Sequence, residues 1–86
     1  MESWMFKLTE QIRSIVGEDK LPHYQTVVLP GIIADFHGML MKAPANKQVE
    51  EEYFMEDGSM KILLRGTKDR SGKCRIIAAE VRQCQI

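Results

Sequence analysis

Cysteine is scarce in this chain: Cys74 and Cys84 are its two cysteines, and they form no Cys-x-x-Cys pattern. Free thiols in a reducing compartment are the expectation, and the spacing of these cysteines with His23 and His37 matches no zinc module. Long apolar runs are also missing. None approaches the roughly 20 residues that a membrane-spanning helix needs. The opening Met-Glu-Ser-Trp carries an acid where a secretory signal carries bases, and Lys7 and Glu10 interrupt its apolar residues. A soluble, cytoplasmic protein is therefore expected. Net charge is absent as well, with 12 basic residues against 12 acidic ones, which excludes a general nucleic-acid or membrane polyelectrolyte. Neither histidine lies at a recognised spacing from a nucleophile, and no cofactor motif is present. The expectation is a protein without catalysis, cofactor or small-molecule substrate.

What remains is ordinary globular composition: 86 residues, 44% hydrophobic and 28% charged, enough for a single domain over 1–86. A core this small leaves a thin stability margin, so self-association that covers more apolar surface is expected. The clearest stretch is Ser59–Val81. Two apolar runs, Met60–Leu64 and Arg75–Val81, flank a polar Gly66–Gly72 loop, the pattern of a β-hairpin. Asp57-Gly58 precedes it as a second turn signal, so the meander extends back into Val49–Glu56.

Towards the amino terminus, Met5, Leu8, Ile12, Ile15 and Val16 share one face of a 3.6-residue repeat, which predicts an amphipathic helix over Glu2–Val16. Ser3 is a suitable N-cap, and Gly17 stands where a left-handed residue ends a helix. His23–Leu29 is rich in strand formers and reads as a strand. Pro30-Gly31 reads as a turn or kink. Ile32–Met41 reads as another strand, with Gly38 marking a bulge. Ala78–Cys84 is read as a strand with a ragged end in preference to a helix. The predicted fold is α+β: an N-terminal helix on a curved antiparallel sheet of four to five strands, able to close partly into a small barrel.

The charges are segregated. Glu50, Glu51, Glu52, Glu56 and Asp57 lie together, whereas Arg65, Lys68, Arg70, Lys73, Arg75 and Arg82 dominate the hairpin. On adjacent strands these sets neutralise one another; otherwise they form a functional basic surface. The glutamate run also suits a solvated edge that discourages sheet-to-sheet association. The Gly66–Gly72 loop could hold a phosphate through its N–H groups, Lys68 and Arg70, although the Gly-Lys-Ser/Thr ending of a P-loop is absent. Asp35 and His37, two apart on a strand, would share a face as a general base or a two-point metal site. Met39, Met41, Met55 and Met60 fit core filling, or an adaptable surface cluster.

Leu64-Arg65-Gly66 is similar to the end of the second motif of the Sm-like RNA-binding proteins, whose Arg-Gly turn helps line an RNA pocket. The resemblance would carry to Arg65 and Gly66. It extends no further, because the Asp and Asn expected after Gly38 and Leu40 are missing, and it assigns no family. The leading expectation is a homo-oligomeric adaptor or regulatory module that binds protein, with Trp4 and Phe6 as bulky apolar contacts on the helix. The alternative is nucleic-acid binding through Arg65, Lys68, Arg70, Lys73 and Arg75. A small metal-dependent site at Asp35 and His37 is third.

Overall fold

Helix α1 spans Ser3–Val16, and its apolar repeat does what the sequence predicts. Leu8 and Ile12 are completely buried, and Trp4, Ile15 and Val16 pack partly against the core. Thr9 joins them inside because its hydroxyl donates to the Met5 carbonyl at 2.9 Å, which satisfies the polar group where water is excluded. Gly17 ends the helix at φ 81°, and its N–H donates to the Arg13 carbonyl at 2.9 Å. In this computed structural model residues 3–55, 58 and 60–84 are described.

The segment from Leu21 to Lys42 is helical, which corrects the two strands predicted there. It consists of α2 (Leu21–His23), a π-helical stretch (Tyr24–Val28) and α3 (Leu29–Lys42). Helical dihedrals continue across both junctions, so the three form one rod. Val27-Val28 and Ile32-Ile33 favour a strand locally, but burial overrode that preference. Leu21, Tyr24, Leu29, Phe36 and Leu40 are the buried residues, a helical repeat with one extra position between Tyr24 and Leu29. The π turn supplies that extra position. Leu29 N–H reaches back five residues to the Tyr24 carbonyl, and Pro30, which lacks an N–H, falls in the first turn of α3. The wider turn relieves the clash that a proline ring makes with the carbonyl four residues before it. Gly31 and Gly38, read as turn and bulge, are ordinary helical residues here.

Three strands follow: β1 (Gln48–Phe54), β2 (Met60–Lys68) and β3 (Cys74–Gln83), antiparallel in the order β1-β2-β3. The sheet is open. Among the described residues there is no fourth or fifth strand and no closure into a barrel. The carboxyl-terminal segment is a strand as far as Gln83, as expected. The Asp57 half of the predicted Asp57-Gly58 turn lies outside the described residues, as does Glu56; Gly58 has φ 71°. The hairpin loop is shorter than predicted, since β2 continues through Gly66 to Lys68.

β2 is the central strand and alternates cleanly. Met60, Ile62, Leu64 and Gly66 are buried beneath the helices, with Lys61, Leu63 and Arg65 on the outer face. α1 packs on β3, and α3 crosses the sheet mainly over β2. One helical layer on one sheet accounts for the short 18 Å axis of the molecule. Phe36 and Leu40 sit over Gly66, where a Cβ would lie 3.0 Å from each and 2.7 Å from the Arg75 carbonyl. The absent side chain makes room for the core. The pairing shifts at this point, because Arg65 faces Ala78 while Gly66 faces Ile76, leaving Ile77 as the extra residue of a β-bulge. The methionines do not form one cluster: Met60 is fully buried, Met39 and Met55 pack on the core, and Met41 is exposed.

Candidate functional site

The hairpin cations divide into two groups. Arg65 stands opposite Glu50 in the register, and its Nε donates to Glu50 Oε1 at 2.7 Å. Lys61 reaches Glu52 at 3.5 Å and also lies 5.7 Å from the centre of the Phe54 ring. Lys68 donates to the Met41 carbonyl at 2.8 Å, near the end of α3. Cross-strand neutralisation, one of the two readings of the charge pattern, therefore holds for Arg65, and Lys68 is engaged by its own chain. Arg70, Lys73 and Arg75 are exposed and make no ion pair among the described residues.

The backbone of the loop between β2 and β3 is not built to cradle a phosphate. Asp69 Oδ1 accepts the Ser71 N–H at 2.9 Å, the Ser71 hydroxyl at 2.5 Å and the Lys73 N–H at 2.9 Å. The Ser71 hydroxyl bond, then the Lys73 N–H, hold this carboxyl below its usual pKa range. Gly72, at φ 88°, donates to the Asp69 carbonyl at 3.0 Å. The Ser71, Gly72 and Lys73 N–H groups are thus occupied by Asp69.

Two concave regions are lined by side chains that the sequence keeps far apart. The first is a cleft of about 450 Å³ lined by Trp4 and Met5 of α1, His37 and Leu40 of α3, and Lys73, Cys74, Arg75 and Ile76 of the hairpin. It brings Trp4 together with Lys73 and Arg75 from the predicted partner-binding set. Phe6 is elsewhere on α1 and 59% exposed, and Arg65 lies on the outer sheet face. His37 is a cleft residue that the sequence pattern had assigned to a different role.

The second region is a groove of about 610 Å³ between the π-helical stretch and β1. It is lined by His23, Tyr24, Val27, Val28, Ile32, Tyr53, Phe54 and Met55. Phe54 is 66% and Val27 58% exposed, large values for apolar side chains. The alternation of β1 puts Tyr53 and Phe54 on opposite sheet faces, so the groove passes the free edge of the strand. Tyr53 ties the strand to α3, its hydroxyl donating to Asp35 Oδ2 at 2.7 Å. Burial first, then that bond and the negative charges of Asp35 and Glu51, raise the Tyr53 pKa well above its ordinary value. Sequence reading missed this groove. The available signal was Phe54 among outward glutamates, an apolar residue on a wet face.

Asp35 and His37 do not share a face. At about 100° per residue, two positions apart on a helix point in nearly opposite directions. Asp35 is engaged with Tyr53 and His37 lines the other cleft. No group of three or more His, Cys, Asp or Glu side chains able to hold a metal ion occurs among the described residues. Cys74 and Cys84 are free and half-buried. No described helix is long and apolar enough to cross a membrane. The Sm-like resemblance is not supported by the architecture, since Gly38 and Leu40 are helical and the described residues form three strands where that family has about five. No family model, curated protein or solved structure matches the chain.

Proposed function

We propose that this α+β domain is a non-catalytic protein-interaction module that takes an extended segment of a partner along the free edge of β1. The observation that carries the reading is the 610 Å³ groove, with Val27 and Phe54 exposed beside an edge that pairs with β2 on one side only. An edge strand offers alternate N–H and C=O groups for pairing, and an adjoining apolar groove supplies side-chain specificity. The partner segment carries an apolar residue for the groove and Lys or Arg for Glu51 and Asp35, which flank Tyr53. A second copy suits this edge poorly. Antiparallel pairing of two β1 strands would set Glu50–Glu52 against the same residues, and like charges directly opposite destabilise a sheet. Self-association, if the small core requires it, uses another surface.

The test is selection from a random peptide library, followed by amide hydrogen exchange on the complex. Basic, apolar peptides that slow exchange in β1 are expected. The exposed substitutions Val27→Ser and Phe54→Asp should weaken them at least about tenfold, the loss of roughly 1.4 kcal/mol, without changing the melting temperature. Peptides that bind Phe54→Asp as well as the parent, or that leave β1 amides unprotected, would refute the reading.

A further inference from the structure

We infer that the cleft between α1, α3 and the β2–β3 hairpin is a second, separate binding site, for a base and its phosphate in single-stranded nucleic acid. Its composition differs from that of the β1 groove, whose lining includes no Lys or Arg. Trp4, the chain's one tryptophan, lines it together with His37, and Met5, Leu40 and Ile76 give it an apolar lining. Lys73 and Arg75 stand along the same cleft and also line a smaller adjoining one of about 210 Å³ with Thr67 and Asp69. The two concavities therefore share a cationic wall. The larger volume falls in the range of about 300–1,000 Å³ typical of small-ligand sites.

The cations on that wall make no close ion pair, although Lys73 acts at longer range on the neighbouring Asp69 carboxylate. Arg65 is neutralised by Glu50 and Lys68 is bonded to the Met41 carbonyl, whereas Lys73 and Arg75 make no ion pair among the described residues. Arg70 stands exposed at the tip of the same hairpin. Asp69 is the one acid lining the wall. Its Oδ1 is occupied by Ser71 and Lys73, so it shapes the turn that presents the cations. A flat heteroaromatic base fits an indole and an apolar lining, and its phosphate fits a neighbouring ammonium and guanidinium. An acidic peptide would satisfy the cations but make no use of the aromatic and apolar lining. Sequence position hides this arrangement, because Trp4, His37 and Lys73 meet only when the helices pack on the sheet.

The single tryptophan makes the site directly observable. Trp4 fluorescence would be titrated with short single-stranded oligouridylate, uridine monophosphate, inorganic phosphate and an oligoglutamate peptide. Saturable quenching by the oligonucleotide is expected, with log Kobs against log salt sloping at about −1.4 for two phosphate contacts. The exposed pair Lys73→Glu and Arg75→Glu should weaken binding at least about tenfold with the melting temperature unchanged. Retention of quenching by Trp4→Phe protein cannot be read, so that variant is followed by anisotropy of labelled oligonucleotide, where a loss of several-fold is expected. Equal quenching by uridine monophosphate would make a free nucleotide the ligand; a response to the oligonucleotide alone assigns the polymer. No quenching by either, quenching untouched by Lys73→Glu and Arg75→Glu, or a response to oligoglutamate only would overturn the site. None of these variants touches Val27 or Phe54, so failure here leaves the β1 groove standing, and the converse also holds.

Discussion

The two edges of the sheet have been treated differently. β3 lies under α1, and its Val81 N–H donates to Gln11 Oε1 at 3.1 Å, so a helix side chain takes the place of a neighbouring strand. Among the described residues β1 meets α3 less closely than β3 meets α1. Tyr53 ties it to α3, its hydroxyl lying 2.7 Å from Asp35 Oδ2 and 3.7 Å from Met39 Sδ, and a groove opens beside it. A free edge invites pairing, and the acidic run Glu50–Glu52 discourages the copy of itself that is always nearest at hand. The contrast shows how a small sheet can satisfy one edge with a helix side chain and line the other with like charges.

Removing the cover from β3 gives the largest effect. Leu8 is fully buried in α1, and Leu8→Ala should cost about 2–5 kcal/mol in urea unfolding, with amide protection in β3 lost before that in β2. An effect below about 1 kcal/mol would mean that α1 is not the element holding that edge. Gln11→Ala is a finer probe. It leaves Val81 N–H to water and should cost about 1 kcal/mol, with faster exchange confined to Val81 and its neighbours. If Val81 exchanges no faster in the variant, the edge is protected by packing alone.

On the open edge, Tyr53→Phe removes the tie to Asp35 and should cost about 1 kcal/mol or less at neutral pH. The same variant has a pH signature. The Tyr53 pKa is raised in the folded state, so its contribution is complete below the unfolded tyrosine value of about 10 and is lost as pH rises through the folded value. Stability of the parent protein should therefore fall more steeply above about pH 10 than that of Tyr53→Phe. Parallel profiles would show that Tyr53 is not the group responsible.

The hairpin was legible because each of its signals was local. β2 and β3 alternate or run apolar around polar turn residues, and Gly72 takes the left-handed conformation that the turn needs. α1 was legible for the same reason, since its apolar repeat and Gly17 agree. The Leu21–Lys42 rod was not. Val27-Val28, Ile32-Ile33 and Pro30-Gly31 each speak locally for strand or turn, and the π turn shifts the helical repeat by one residue so that the periodicity does not read through. Part of the candidate site was visible too, in Trp4 and the hairpin cations. Which cations were already spent was not visible, because neutralisation of Arg65 by Glu50 depends on strand register.

By itself, then, the sequence determined an α+β chain with an amphipathic first helix, a β-hairpin and acidic residues segregated from basic ones, all properties set by neighbours within a few positions. Tertiary structure decided the rest. Burial of Tyr24, Leu29, Phe36 and Leu40 against Met60, Ile62 and Leu64 made a helix of a segment whose local preference was β. The same packing joined Trp4 and His37 to Lys73 and Arg75, and left a groove beside β1. Those outcomes depend on apolar surface shared between distant segments, which stabilises more than a local preference worth a fraction of a kcal/mol per residue.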